Sequence, residues 1–304
     1  MLSTVNESPE FPVLINGEFD DAVEVFDRGF MYGDGLFETI RVVKGEPLLW
    51  EYHAKRLTNG CKKLGLPVDA NLTTRLRGGI DRVIKKAANS AETLAVKDVY
   101  IVKIVISRGI GGRGYQVPEK VNLTEVIILY PAPEYPLSYG LKGIELRTCH
   151  HRLSENPYLA GIKHLNRLDQ VLASRELALW AAEAALPALE GLMLDQSGHI
   201  IEGTKSNILF FEERGIVSPD LQLCGVEGVA KNYIFDCAEQ LNLDTRTDKL
   251  LPTTIAKFEG MAVTNSVLGI WPVCRLDGVE LPISPLVYDI QRLLNDKLMY
   301  EYKV

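Results

Sequence analysis

The chain has 304 residues, 46% of them hydrophobic and 24% charged, with a formal net charge of −7 and a pI near 5.4. That length suits about two domains with an ordinary buried core. The acidic balance excludes the basic footprint of a nucleic-acid-binding protein, so an anionic partner has to be drawn by local arginines. Cys61, Cys149, Cys224, Cys237 and Cys274 are an odd, scattered set without a C-x-x-C pair. This argues against a disulfide framework and a zinc site and fits a reducing cytoplasm. The first residues, Met-Leu-Ser-Thr-Val-Asn-Glu-Ser, lack the basic and apolar regions of a signal peptide. No apolar run approaches the ~18 residues of a membrane span.

In chain order, residues 12–18 predict a strand running into an Asn16-Gly17 hairpin turn. Residues 36–43 predict a strand, closed by the turn Lys44-Gly45-Glu46. An amphipathic helix over 51–64 carries Tyr52, Leu57, Cys61 and Leu64 on one face, and a second helix follows at 71–88. Residues 99–107 and 124–130 are β-branched strands. Three prolines within 131–136 make a stiff connector. The boundaries read as a small domain over 1–131, a linker over 132–138 and a larger domain over 139–304. The larger domain is expected to hold strands at 143–149, 191–195, 199–201, 207–211, 261–264 and 271–275. Its helices are expected at 166–184, 229–241 and 285–299. The pattern is α+β, without the regular strand–helix alternation of a doubly wound sheet.

Several motifs carry chemistry. Lys163 lies between Gly161-Ile162 and a helix-like stretch. A lysine in a semi-apolar pocket loses solvation, its pKa falls, and its neutral amine can form a Schiff base, as a pyridoxal phosphate (PLP) enzyme requires. Most lysines are solvated surface charges, so the neighbouring motifs have to decide. Gly109, Gly111 and Gly114 match G-x-G-x-x-G after a strand, but no helix pattern follows as a dinucleotide fold demands. A hairpin tip, or a binding loop offering Arg108 and Arg113 as forked donors to a carboxylate, fits better. Glu202 ends a strand, where a carboxylate could keep a pyridine nitrogen protonated; a solvated turn glutamate is the plain alternative. Gly225-Val226-Glu227-Gly228 opens a helix whose first amides suit a phosphate. Thr264-Asn265-Ser266 ends a strand, either as a turn cluster or as a second face for that phosphate. The five histidines show no metal-ligand spacing.

Together these segments resemble the fold-type IV PLP enzymes, which include branched-chain and D-amino-acid aminotransferases and aminodeoxychorismate lyase. The resemblance rests on Asp27-Arg28-Gly29, Tyr32 to Thr39, His53-x-x-Arg56-Leu57, the Lys163 segment, Glu202-Gly203-Thr204-x-Ser206-Asn207, Gly228-Val229, and Asn265-Ser266 with Trp271-Pro272-Val273. They follow the family's order and cover nearly the whole chain.

The resemblance implies a small α/β domain and a larger domain with a β-barrel-like sheet. It implies that Lys163 holds PLP and moves protons, and that Glu202 pairs with the ring nitrogen. Arg56, the amides of Val229 and Ala230, and Ser266 would hold the phosphate, with Ser206, Asn207 and Asn265 completing the cofactor set. Tyr32, Glu38, Arg108, Arg113 and Tyr115 would face a small anionic substrate. It further implies a homodimer with shared active sites, in which the 108–115 loop covers a neighbour's site. No metal, nucleic acid or membrane enters this expectation. The words around Lys163 and Ser107–Tyr115 look like the lyase version, which acts on 4-amino-4-deoxychorismate. Arg167-Leu168 replaces the Asn-Tyr pair usual in branched-chain aminotransferases, whereas Glu38 is common among aminotransferases. An aminotransferase, or a catalytically retired PLP-binding homologue, stays open.

Overall fold

The computed structural model describes residues 11–89, 98–183 and 190–298. The first eight residues read for a signal peptide, and residues 184 and 299 at the ends of expected helices, lie outside this set. The chain forms two compact units. One comprises Met1–Trp50 and Leu57–Pro133, the other Glu51–Arg56 and Glu134–Val304.

The first unit contains β1 (Val13–Ile15), β2 (Glu18–Phe19), α1 (Arg28–Tyr32), β3 (Gly35–Val43) and β4 (Glu46–Pro47). The second half of α2 (Trp50–Leu64), α3 (Leu72–Asn89), β5 (Val99–Ser107) and β6 (Thr124–Pro131) complete it. Its six strands form an antiparallel sheet in the order β2-β1-β6-β5-β3-β4. Both predicted hairpins form. Asn16-Gly17 and Lys44-Gly45 each place two residues at positive φ, the turn whose twist matches the flanking strands. Leu72, Leu76, Ile80, Val83 and Ala87 make the buried stripe of α3. Gly79 lets that helix approach the sheet closely, because a Cβ there would sit 2.3 Å from Ile127 Cδ1.

The second unit begins after the prolines with α4 (Ser138–Lys142), β7 (Ile144–Arg152) and α5 (Leu168–Glu183). Then come β8 (Glu190–Leu194), β9 (Ile200–Gly203), β10 (Asn207–Glu212), β11 (Gly215–Pro219) and α6 (Val229–Ala238). β12 (Asp244–Asp248), β13 (Gly260–Asn265), β14 (Gly269–Leu276), β15 (Val279–Glu280) and α7 (Pro285–Leu298) end the chain. Strands β10-β13-β14-β7-β8-β9 follow one another as neighbours, and β9 pairs back onto β10 through Glu202 and Asn207. The six strands therefore close into a barrel, the expected β-barrel-like sheet. β11 and β12 extend it from β10, and β15 extends it from β14. Leu146, Leu192, Ile208, Phe210, Val263, Trp271 and Val273 belong to its buried core. Among the described residues, no helix is long and apolar enough to cross a membrane.

The closure is held by a carboxylate that sequence patterning missed. Glu190 is 1% exposed. It accepts the amides of Gly191 (3.0 Å) and Thr204 (2.8 Å), a short bond from the Thr204 hydroxyl, and the Ser206 hydroxyl at 2.8 Å. The whole turn from β9 to β10 is thereby bonded to β8. Glu190→Gln puts an amide NH2 where an acceptor is needed, so it should cost about 1–3 kcal/mol of stability. A urea denaturation midpoint equal to that of the unsubstituted protein would show that Glu190 does not hold the turn.

Candidate active site

Barrel closure places Glu202 at the end of β9 with its side chain 4% exposed. Its Oε2 accepts the Val226 amide at 2.8 Å and its Oε1 accepts the Gln170 side-chain amide at 3.0 Å. Burial pushes its pKa up, and the Val226 amide, Arg167, Gln170 and Lys163 only partly pull it back. A carboxylate in this position gains from a cationic partner. Lys163 reaches the same place through the backbone. Gly161, at φ +80, donates its amide to Gly225 O (2.9 Å) and accepts the Glu227 amide (3.0 Å). The Lys163 segment is thus tied to the 225–228 turn that Glu202 also grips.

That turn leads into α6. Gly228 caps the helix with extended backbone and no side-chain cap, so the first amides, including those of Val229 and Ala230, are available to an anion. Arg56, from the half of α2 that belongs to this unit, donates Nη1 to Glu227 O at 2.9 Å. It therefore stands at the same helix end, as expected of a phosphate site.

Three of the expected cofactor residues also make structural bonds. The Ser206 hydroxyl goes to Glu190. Asn207 donates to Val226 O (2.8 Å), fixing the turn before α6. Asn265 donates to Lys205 O (3.0 Å) and accepts the amides of Val267 and Leu268, forming its own turn. Ser266 lies inside that turn. These residue types read equally well as ligand contacts or turn-formers, and only the closed barrel shows the turn bonds.

The expected substrate residues all lie in the first unit. The 109–116 loop is built rather than loose. Buried Arg28 donates to the carbonyls of Gly111, Gly114, Tyr115 and Gln116 and pairs with Asp34 at 2.9 Å. Arg108, 6% exposed, was expected to bind a substrate carboxylate. It is instead taken up by both Asp34 oxygens (2.8 and 3.1 Å) and by the carbonyls of Leu64 and Gly65. Burial would raise the Asp34 pKa, but Arg108 and Arg28 outweigh it and hold the carboxyl below its ordinary value. Arg113 is exposed on the loop. Tyr115 is 86% exposed and packs edge-on against Tyr32, with ring centroids 5.3 Å apart. Glu38 is also corrected. It is 1% exposed on the same face of β3 as the core residues Leu36 and Ile40, and the opposite face presents Phe37, Thr39 and Arg41. Strand alternation alone could have shown this.

Beside Glu202, a cleft of about 250 Å³ is lined by residues including Asn156, His164, Arg167, Gln170 and Gly225; neither Lys163 nor Glu202 is among its lining residues. His164 Nδ1 is buried there without a hydrogen-bond partner. Burial, then the Arg167 charge, pushes the His164 pKa down from 6.5 to about 4.

With this geometry in view, the chain is matched over residues 35–276 by the family described as amino-transferase class IV. It belongs to that family. It is 29% identical over 285 residues to the aminodeoxychorismate lyase of Vibrio harveyi, covering 92% of this chain and 98% of that protein. It is 26% identical over 270 residues to a putative branched-chain-amino-acid aminotransferase of Methanocaldococcus jannaschii, covering 88% of each. The crystal structure of 4-amino-4-deoxychorismate lyase from Pseudomonas aeruginosa is similar with a TM-score of 0.84 and 35% identity, covering 94% of this chain and 99% of that one.

His164 makes a signed pH test. Its folded pKa lies below its unfolded one, so its contribution is present above pH 6.5 and is lost as pH falls toward about 4. His164→Gln should therefore flatten the decline of thermal stability across that window. Parallel melting curves for both proteins from pH 7 to 4 would refute the assignment.

Proposed function

We propose that this chain is a PLP-dependent lyase that converts 4-amino-4-deoxychorismate to 4-aminobenzoate and pyruvate, a step toward folate in the cytoplasm. The observation that carries the cofactor is Glu202. It is a buried carboxylate with a raised pKa, and it is bonded through one turn both to the Lys163 segment and to the uncapped start of α6 beside Arg56. The donor set fits PLP at three points: a lysine for the aldehyde, a carboxylate for the ring nitrogen, and a helix start with an arginine for the phosphate.

PLP, when bound, supplies an electron sink for negative charge formed next to the substrate nitrogen. Lys163 would hold the cofactor, and its free amine would take the proton from the substrate ring carbon that bears the nitrogen. The ring C–O bond then breaks, and the enolpyruvyl oxygen leaves with the electron pair. Protonation of its methylene carbon gives pyruvate, and the ring becomes aromatic. Glu202 would pair with the ring nitrogen, whose positive charge, added to the donors on its two oxygens, would favour the ionised carboxylate. Arg113 is the recognition group for a substrate carboxylate, with Tyr115 on the same loop that Arg28 pins and Tyr32, at the end of α1, packed on Tyr115. The lyase reading is supported by similarity to two aminodeoxychorismate lyases, one at 35% identity.

The same first proton removal serves amino transfer, and the similarity to a putative branched-chain aminotransferase keeps that reaction as the second reading. A homodimer is part of the proposal. Exposed Tyr158, Leu168 and Val171, close in sequence to Lys163, suit a self-association face, with the partner's glycine loop serving the site.

Purified protein with PLP and 4-amino-4-deoxychorismate should release 4-aminobenzoate and pyruvate in equal amounts. Amino transfer to a 2-oxo acid without pyruvate release would replace the lyase by the second reading. Lys163→Ala should abolish lysine-bound PLP absorption and nearly all turnover. Retained activity would end the PLP assignment. Arg113→Ala should raise KM about ten- to a hundredfold, the loss of a charge-assisted contact, while PLP stays bound. Unchanged kinetics would remove Arg113 from recognition.

A further inference from the structure

We infer that Arg167 is the positioning residue for Lys163, acting through the two peptide carbonyls that flank it. Arg167 stands just before α5. Its Nε donates to His164 O at 2.8 Å and its Nη2 donates to Ile162 O at 3.2 Å. Residues 162 and 164 are the immediate neighbours of Lys163. One planar guanidinium bridges both, and so fixes the peptide that precedes Lys163 and the peptide that follows His164.

The bridge needs a fork. A guanidinium presents donors in a rigid plane, whereas an ammonium is a point charge that cannot match two separated acceptors in the same way. Its charge also acts beyond the segment. The Arg167 charge is felt by Glu202, which it holds toward the ionised form, and by Arg56, whose charge opposes it. Three residues on from Arg167, Gln170 donates to Glu202 Oε1 at 3.0 Å. A single short stretch at the start of α5 thus sets both the lysine backbone and the carboxylate. Gly161 holds the opposite side of the segment through Gly225 and Glu227. Lys163 is therefore clamped from two directions, by backbone bonds on one side and by Arg167 on the other. A displacement of about 1 Å in a reacting group costs on the order of a hundredfold in rate, so such a clamp has a direct kinetic consequence.

The link to turnover rests on the proposed PLP reading, but the clamp can be tested without cofactor. Arg167→Lys keeps the charge and loses the fork; Arg167→Gln loses the charge as well and serves if the lysine variant does not fold. Amide hydrogen exchange in the cofactor-free full chain should accelerate about tenfold or more over residues 161–164 in both variants, because local opening there loses charge-assisted bonds. Exchange in β5 should not change. With PLP and substrate, kcat should fall about tenfold or more while KM stays within about twofold. Unchanged exchange at 161–164, acceleration spread equally to β5, or a change in KM alone would each overturn the inference. Failure of the unsubstituted protein to take up PLP would sink the functional reading and leave the exchange result to judge the clamp.

Discussion

The Glu202–Asn207 pair between β9 and β10 is the contact on which the second unit depends, because it turns an open run of strands into a barrel. Each partner faces a second task. Glu202 grips the Val226 amide and Asn207 donates to the Val226 carbonyl, so both peptide groups of one residue are held by the closing pair. Val226 belongs to the turn that opens α6 and binds Gly161. The lysine segment, the carboxylate and the start of α6 are therefore placed by one local event. Glu190 supports that event from beneath by taking up the amides and hydroxyls of the turn. A barrel closed by so few strand pairings needs such side-chain bonding, and the polar groups that supply it are buried and paired.

Arginine plays opposite roles in this chain, and burial separates them. Arg28, Arg108 and Arg167 bind backbone carbonyls that no regular ladder satisfies: those of the glycine loop, of the end of α2, and of Ile162 and His164 on either side of Lys163. Five donors on a rigid plane suit this use. Arg113 shares the loop with none of these duties and is exposed. The loop's conformation is set by buried cations and by glycines at positive φ. At Gly109, for example, a Cβ would lie 1.9 Å from Asn122 O. The result is a stiff presentation of one exposed arginine and one exposed tyrosine.

Much of this was legible in the sequence. Hairpins at Asn16-Gly17 and Lys44-Gly45, the helical stripe of α3 and the β-branched runs of β5 and β6 follow from local rules. Lys163, Glu202, Arg56 and the glycine turn stood out because the expected chemistry demands particular residue types at strand and helix ends. What escaped was long-range pairing. β12, Asp-Thr-Arg-Thr-Asp, is exposed throughout and has no apolar alternation, so only its parallel pairing with β11 makes it a strand. The bonds of Arg108 to Asp34 and of Ser206 to Glu190, 74 and 16 residues apart, could not be read from local pattern. Glu38 was misassigned because its motif was weighed above the period of its strand.

In the proposed PLP reading, barrel closure holds Glu202 as a carboxylate where it keeps the nitrogen of a bound pyridine ring protonated. The most direct measurement is the ¹⁵N chemical shift of ring-labelled PLP bound to the protein, compared with that of Glu202→Gln. A protonated ring nitrogen in the unsubstituted protein and a neutral one in the variant is the result this account requires. A neutral ring nitrogen in both, or a protonated one in both, would contradict it.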